Sequence, residues 1–554
     1  MTTGIRTLIS LALLGGLAGP AAAQSPSPTP PSEAETLLLE QQARAWISGV
    51  LGGQPVAMGA VTFKPDGAGY LISLPVGTAA QITPKGAAIT IRAHRLDGTR
   101  WAIDDQRVPP ELGITVQQSV PNATDDTPDA TGTHTDTVQY AFKFGKQAAT
   151  GIFDPTYATP TNSQGSIDTI DMVQTGGPLA SISHFGGVAT NTSITSSAPG
   201  HLDLVTDTLM QTYETRRELA GRSGTVDAGL TITMEKLHLV TAVSGFAVDR
   251  WSPVAAAVAM AMNAQQVADS PPAEKAVPDR PTPGKPVPGA QNPTHPVPGQ
   301  PLQGGASPPG KPESAASAPA TADAAKALRN AQVRAILIAA HDLLTGGRFE
   351  QTAERVKFDA SGHAGAIAHL GISLAGDAPQ DMLKGSMALT VDGMVIDELP
   401  PAIASYVPGH FTIHPVISNL DVAALTKAAM DGTAPGSDGP PDTDLEALFA
   451  KGGINFGFDA LGLDIGETKF TGTGSFNAAG PQTVTGQAEI SATNLDALIS
   501  KAQADPTVQQ ALPFAIFLKG IAKTNEGRST WLVTLTNGRA LVNGVDLSSL
   551  GGGR

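Results

Sequence analysis

Cysteine is absent from this chain of 554 residues. Its absence excludes disulfides, thiolate nucleophiles and cysteine metal sites. An extracytoplasmic fold without Cys must hold by burial alone, which a domain of ~200 residues or more can do. Aromatic residues are scarce at 5%, which speaks against an outer-membrane barrel with its aromatic girdles. Charged residues are few, at 15%, and no basic patch offsets the net charge of −15. Nucleic acid is therefore not an expected partner, and simple electrostatic docking on anionic lipid heads is disfavoured. After the N-terminal segment no apolar run reaches the ~20 residues that span a bilayer. The longest, Val254 to Met262, is Ala-rich and stops at Asn263.

Catalytic motifs are missing too. There is no Gly-x-Ser-x-Gly, no Ser three residues before a Lys and no His-Glu-x-x-His. Gly305 to Lys311 matches Gly-x4-Gly-Lys, but Pro312 stands where a phosphate loop needs Ser or Thr.

What is present begins with a leader. Arg6 precedes an apolar stretch from Leu8 to Ala18, and Ala21-Ala22-Ala23 offers small residues for a peptidase. The stretch is too short for a membrane span and suits a cleavable secretory signal. Residues 1–23 are read as that signal, with the cut before Gln24 and a periplasmic or secreted destination. No Cys follows, so no lipoprotein anchor is expected, nor any transmembrane anchor after cleavage.

Residues 24–33 form a Pro/Ser tether. From Pro271 to Pro319 there are 15 prolines, too many for a packed core, so 269–322 reads as an extended, disordered linker. It separates an N-terminal α+β block, 34–268, from a C-terminal β-rich block, 323–550. The alternative is one continuous fold with the linker as an insertion, its flanking strands paired.

Gly (61) and Pro (44) are abundant, and with few charges they suggest many short strands. Apolar spacing predicts helices at 35–51, 203–220, 253–268 and 324–344. Strands are predicted at 70–76, 89–96, 100–103, 236–243, 349–358, 366–374, 384–391, 454–465, 469–476, 483–492, 531–536 and 539–542. Asp66-Gly67, Asp97-Gly98, Asp392-Gly393 and Asn537-Gly538 are predicted turns, since both residues of such pairs tolerate positive φ. Val120 to Asp136 reads as a long polar loop. The fold class is α+β: a predominantly antiparallel, curved, meander-like sheet with a few packing helices.

Two segments repeat. Asn419-Leu420-Asp421 and Asn494-Leu495-Asp496 each follow a strand and precede an Ala/Leu helix, with Asp421 and Asp496 as expected N-caps. Capping accounts for both carboxylates without chemistry.

Other clusters have equally plain readings. His410 and His414 could share a strand face, but no third ligand is near in sequence, so hydrogen-bonded or solvated histidines are expected. Asp125, Asp126, Asp129, His134 and Asp136 read as a solvated acidic loop, not a calcium site. Asp438, Asp442, Asp444 and Glu446 read as carboxylates before a helix N-terminus. No catalytic, cofactor-binding or metal-ligating residue is assigned, and no cofactor is expected.

The strand sets closing in Asn-Leu-Asp corners resemble the AsmA-like envelope proteins. The segment from Thr534 through Asn537-Gly538 to Asn543-Gly544 is similar to the end of the YdgA-like periplasmic family. Leu399-Pro400-Pro401, Tyr406-Val407-Pro408 and His414-Pro415 share the likeness, which covers about 350–550. The cleavable leader departs from the uncleaved anchor usual among AsmA-like proteins. The resemblance implies a curved sheet whose apolar inner face holds lipid acyl chains. The expectation is a non-enzymatic envelope protein that binds lipid or assists envelope assembly, with lipid or another envelope protein as partner. The alternatives are a protein-interaction module without a small ligand and a hydrolase of unrecognised type.

Overall fold

A computed structural model describes residues 32–50, 61–75, 82–84, 87–121, 133–154, 159–176, 179–220, 226–247, 343, 345–360, 363–378, 381–432, 448–480, 483–506, 508–536 and 538–546. The expected leader, linker and helices at 253–268 and 324–344 lie outside these residues, apart from Leu343, as does the expected tether up to residue 31, while its last residue, Glu33, already belongs to a helix.

The chain enters through helix α1 (Glu33–Val50). Its start is a capping box. The Ser32 hydroxyl accepts the Glu35 amide at 3.2 Å, and the Glu35 carboxylate accepts the Ser32 amide at 3.0 Å. That amide, with Arg95 beside it, holds the Glu35 carboxyl below its usual range. Leu39 of the helix is buried with Tyr70 and Trp101, whose rings meet edge to face at 5.8 Å. The Trp101 indole donates to Gln42 at 2.8 Å, fixing the helix on the first strands.

Antiparallel strands follow: β1 (Thr62–Asp66), β2 (Gly69–Pro75), β3 (Ile82–Thr83), β4 (Ala88–Asp97), β5 (Arg100–Arg107), β6 (Glu111–Pro121), β7 (Thr133–Phe144) and β8 (Gln147–Asp154). Four long ones come next, β9 (Thr159–Thr175), β10 (Leu179–Ala198), β11 (His201–Ala220) and β12 (Val226–Ala247). Beyond 248–342 lie β13 (Gly346–Ala360), β14 (His363–Asp377), β15 (Met382–Asp392) and β16 (Val395–Ile396). Helix α2 (Pro401–Ala404), β17 (His410–Asp421), helix α3 (Val422–Gly432), β18 (Ile454–Ile465), β19 (Thr468–Gly480) and β20 (Thr483–Thr493) follow. Helices α4 (Leu495–Ala504) and α5 (Leu512–Ile521) precede β21 (Lys523–Asn525), β22 (Arg528–Thr536), β23 (Arg539–Val542) and β24 (Val545–Asp546).

Among the described residues 24 strands form one antiparallel sheet, and most pair with a neighbour in sequence. The meander expected from many short, turn-punctuated strands is therefore the fold. Two-residue loops close both hairpins, Asp97 facing Arg100 and Thr536 facing Arg539, but the first loop is Gly98-Thr99, one residue beyond the expected Asp97-Gly98, with Asp97 still in β4. Gly98 and Gly538 take φ of +41° and +79°, which side chains resist. Asp392-Gly393 differs from expectation. Gly393 has φ +61°, but β15 and β16 both lie on the same edge of β14, so the chain jogs rather than reverses.

The sheet does not stop at 248–342. β12 pairs with β13 from Leu230 opposite Ala360 to Ser244 opposite Gly346.

Two local expectations are corrected. Residues 203–220 are strand, within β11, not helix. The inward positions of β11 include Thr206, Thr208 and Thr215, and these threonines hide the alternation. Their hydroxyls bond across to β10, Thr208 to Thr190 at 3.2 Å and Thr215 to Ser183 at 2.9 Å. The polar stretch 120–136 is also shorter as a loop than expected. β6 and β7 pair out to Pro121 opposite Thr133, and threonine at 133, 135 and 137 favours strand there.

A crease crosses six neighbouring strands. Ile167, Val188, Met210 and Leu237 stand in one cross-strand row, and Ile170, Phe185, Tyr213 and Met234 in the next apolar row. The two rows are three residues apart in every strand, where a flat sheet allows only two or four. Ala353 with Leu370, and Val356 with Ile367, continue them across β13 and β14. Left-handed residues mark the line: Gly187, Lys236 and Arg355 at φ +58°, +46° and +47°. Reciprocal ion pairs brace it, Lys236 to Glu354 at 3.0 Å and Arg355 to Glu235. On β11 to β14 the apolar side chains of the two rows thus stay on one face and form a common cluster.

The repeated corners use one device. Asn419 and Asn494 take φ of +63° and +55°. Their side-chain amides tie down the neighbouring loop, Asn419 to the carbonyls of Lys451 and Gly453 at 3.1 and 2.6 Å, Asn494 to Glu467 at 3.1 Å. Asp421 caps α3, accepting the Ala424 amide at 3.0 Å. Lys451 at 2.9 Å, with that amide, holds the buried Asp421 carboxyl below its ordinary range. Asp496 departs from expectation. It lies inside the first turn of α4 and pairs with Lys519, while Asn494 occupies the cap position.

Candidate apolar binding trough

The apolar face of the sheet is covered at its two ends. At the start α1 lies on Tyr70 and Trp101. Near the end Ile521, the last residue of α5, packs with Trp531, Ile490 and Phe470, and the Trp531 indole donates to the Leu518 carbonyl at 2.7 Å. Between them a trough of about 570 Å³ opens across β12, β13, β14, β15 and β17.

Its walls and floor follow from two adjacent cross-strand rows. The wall row is Thr241, Phe349, Leu374 and Met387, each opposite the next. The floor row is Val243, Gly347, Gly376, Gly385 and Ile417, likewise in register. It continues into Phe456 and Phe476, whose rings stack at 5.6 Å. Leu374 and Met387 are 45% and 40% exposed although they belong to the apolar face. Five strands at ~4.8 Å spacing give the trough a length of ~19 Å across the sheet.

The three floor glycines are not needed for turns or for packing. None is among the positive-φ residues. A Cβ on Gly347 would meet nothing nearer than the Ala242 carbonyl at 3.4 Å, on Gly376 the Lys384 carbonyl at 3.7 Å, and on Gly385 the Ile417 side chain at 3.4 Å. Glycine inside a strand weakens it and marks a place where something approaches the backbone closely. By contrast, a Cβ on Gly457 or Gly474 would collide within 2.1 and 2.7 Å, so those glycines serve packing.

Among the lining residues Arg348 is the one ionic group, and its guanidinium is paired with Glu350. Among the described residues no carboxylate or imidazole lines the trough. What this arrangement offers chemically is shelter for apolar surface.

The polar clusters singled out in the sequence lie elsewhere or apart. His410 hydrogen-bonds to Asp392 and faces Asp464 on its other side. Three similar pairs join other strands: His94 to Asp104 at 2.8 Å, His184 to Asp171 at 2.6 Å and His238 to Asp207 at 2.9 Å. No group of three metal-ligating side chains is gathered among the described residues. His414 faces Ala460 across the strands. His134 and Asp136 sit on β7, while Asp125, Asp126, Asp129, Asp438, Asp442, Asp444, Glu446 and Gly305 to Lys311 lie outside the described residues. Sequence reasoning assigned no site residue and missed the glycine floor. The one signal for it was that Gly347, Gly376 and Gly385 all stand near strand ends in alternating runs, which becomes a row only once register is known.

No family model, curated protein or solved structure matches this chain. Among the described residues no helix is long and apolar enough to cross a membrane.

Proposed function

We propose that this is an exported, non-enzymatic envelope protein that binds lipid, holding an acyl chain in the trough. The observation that carries the reading is the row of three glycines under an apolar, partly exposed wall. Its volume falls within the ~300–1,000 Å³ typical of small-ligand sites. Each methylene buried there contributes ~0.8 kcal/mol, so even a half-enclosed chain binds usefully. The same feature supports binding over reaction, since the described lining offers no carboxylate or imidazole to act as a general base for water or for the Thr241 and Ser386 hydroxyls.

The test is native mass spectrometry of detergent-free protein, followed by solvent extraction and titration with a fluorescent fatty acid. Co-purifying lipid and saturable uptake are expected. Protein that is repeatedly empty and takes up no acyl chain would shift the reading to a protein-interaction module. The mature N-terminus, read in the same spectra, is expected at Gln24.

A further inference from the structure

Helix α5, Leu-Pro-Phe-Ala-Ile-Phe-Leu-Lys-Gly-Ile, is the most apolar helix described, yet none of its residues is buried. Phe514 and Ile516 are 62% and 48% exposed, the first among the most exposed large hydrophobic side chains of the protein. Exposed apolar surface concentrated on one short element marks a contact site more than chance does. The helix is held in place despite this. Trp531 bonds its Leu518 carbonyl, and Lys519 pairs with Asp496 of α4. It is therefore a rigid element presenting apolar side chains to the surroundings.

Its charge points to the kind of surface. From Pro506 to Asn525 the chain carries Lys519 and Lys523 and no acidic residue, against a net charge of −15 for the whole. An apolar helix face followed by Lys523 suits the interface of an anionic bilayer, where Phe514 and Ile516 enter the acyl boundary and the Lys523 ammonium stays among phosphates, while Lys519 is held by Asp496. The helix also lies on the same sheet face as the trough, over Trp531 and Ile490.

We infer that α5 is a membrane-docking helix, which seats the protein on an anionic bilayer surface with the face that bears the trough turned toward it. This rests on the lipid reading for its purpose, though not for its geometry. The chain's net charge of −15 opposes anionic lipid, which keeps the attachment reversible.

The experiment is flotation of the full chain with vesicles of phosphatidylethanolamine and phosphatidylglycerol. The wild type should float, and the Phe514→Ser, Ile516→Ser double variant should bind at least about tenfold more weakly. Lys523→Glu should weaken flotation on these vesicles and not on phosphatidylcholine alone. Both altered side chains of the double variant are exposed, so its circular dichroism and thermal transition should match the wild type. A wild type that stays at the bottom, or a double variant that floats equally well, overturns the proposal. So does a double variant that differs only in self-association, which would make α5 a contact between copies. Soluble fatty-acid uptake, measured in parallel, separates the two readings. Uptake without flotation refutes docking alone, and flotation without uptake refutes the trough alone.

Discussion

Replacing all three floor glycines with alanine should make the protein more stable and a poorer binder. The added methyl groups at Gly347, Gly376 and Gly385 meet no atom closer than 3.4 Å. Glycine in a strand interior costs ~0.5–1 kcal/mol relative to Ala. Three substitutions in contact are not additive, so a gain of ~1–2 kcal/mol is the reasonable expectation. In a protein of this size that raises the thermal midpoint by only ~1–2 °C. The same methyl groups occupy the floor on which a chain would lie. If each displaces one methylene contact at ~0.8 kcal/mol, binding weakens by ~2.4 kcal/mol, or ~50-fold. Calorimetry gives the first quantity and fatty-acid titration the second. A triple variant that is less stable, with affinity unchanged, would show that the glycines serve folding and that the trough is incidental.

Other consequences are more local. Asn419→Ala should cost ~2–3 kcal/mol in denaturant melts, from the left-handed backbone and two lost amide bonds. Asn419→Gly should recover ~1 kcal/mol of that by relieving the backbone alone. Asp421 has its carboxyl pKa lowered in the fold, so its stabilisation is complete above the ordinary carboxylate value of 3.8 and is lost as pH falls through the depressed value. The stability gap between wild type and Asp421→Asn should therefore be flat above ~pH 5 and close on further acidification. Cleavage within 269–322 should leave two fragments that co-elute on gel filtration, because β12 and β13 pair through to Ser244 and Gly346. Fragments that elute separately without denaturant would show that this pairing does not hold the halves together.

The meander and a few of its hairpins were legible in the sequence because turn residues such as Gly98 and Gly538 announce their backbone geometry locally, whereas β6 to β10 carry no such signal and were not predicted. The corners at Asn419 and Asn494 were visible as a repeat, but their mechanism was not, since the bonds run to residues such as Lys451 and Glu467 that only pairing brings near. β11 was misread because a face half made of threonine carries too little apolar contrast, and because the spacing from Met210 to Tyr213 is the helical interval. The α1 capping box at Ser32 and Glu35 was available as a motif and sharpens the helix start. The trough could not be read at all. Its floor glycines come from three strands, and a single-residue shift in either pairing would scatter them.

The crease carries a further consequence for how this sequence can change. Side chains alternate along a strand, so losing one residue ordinarily turns every later one over. Here the two arms of the sheet already stand in opposite phase, and the residues at the fold line are what reconcile them. Removing Lys236 alone would send Ile232 and Met234 to the water side while their partners stayed inside. Only a matching loss in the neighbouring strands, at Gly187 and Arg355 among them, would restore agreement. Length changes near this line are therefore tolerable as a set across six strands and ruinous singly, so the long strands from β9 to β14 are bound to vary together.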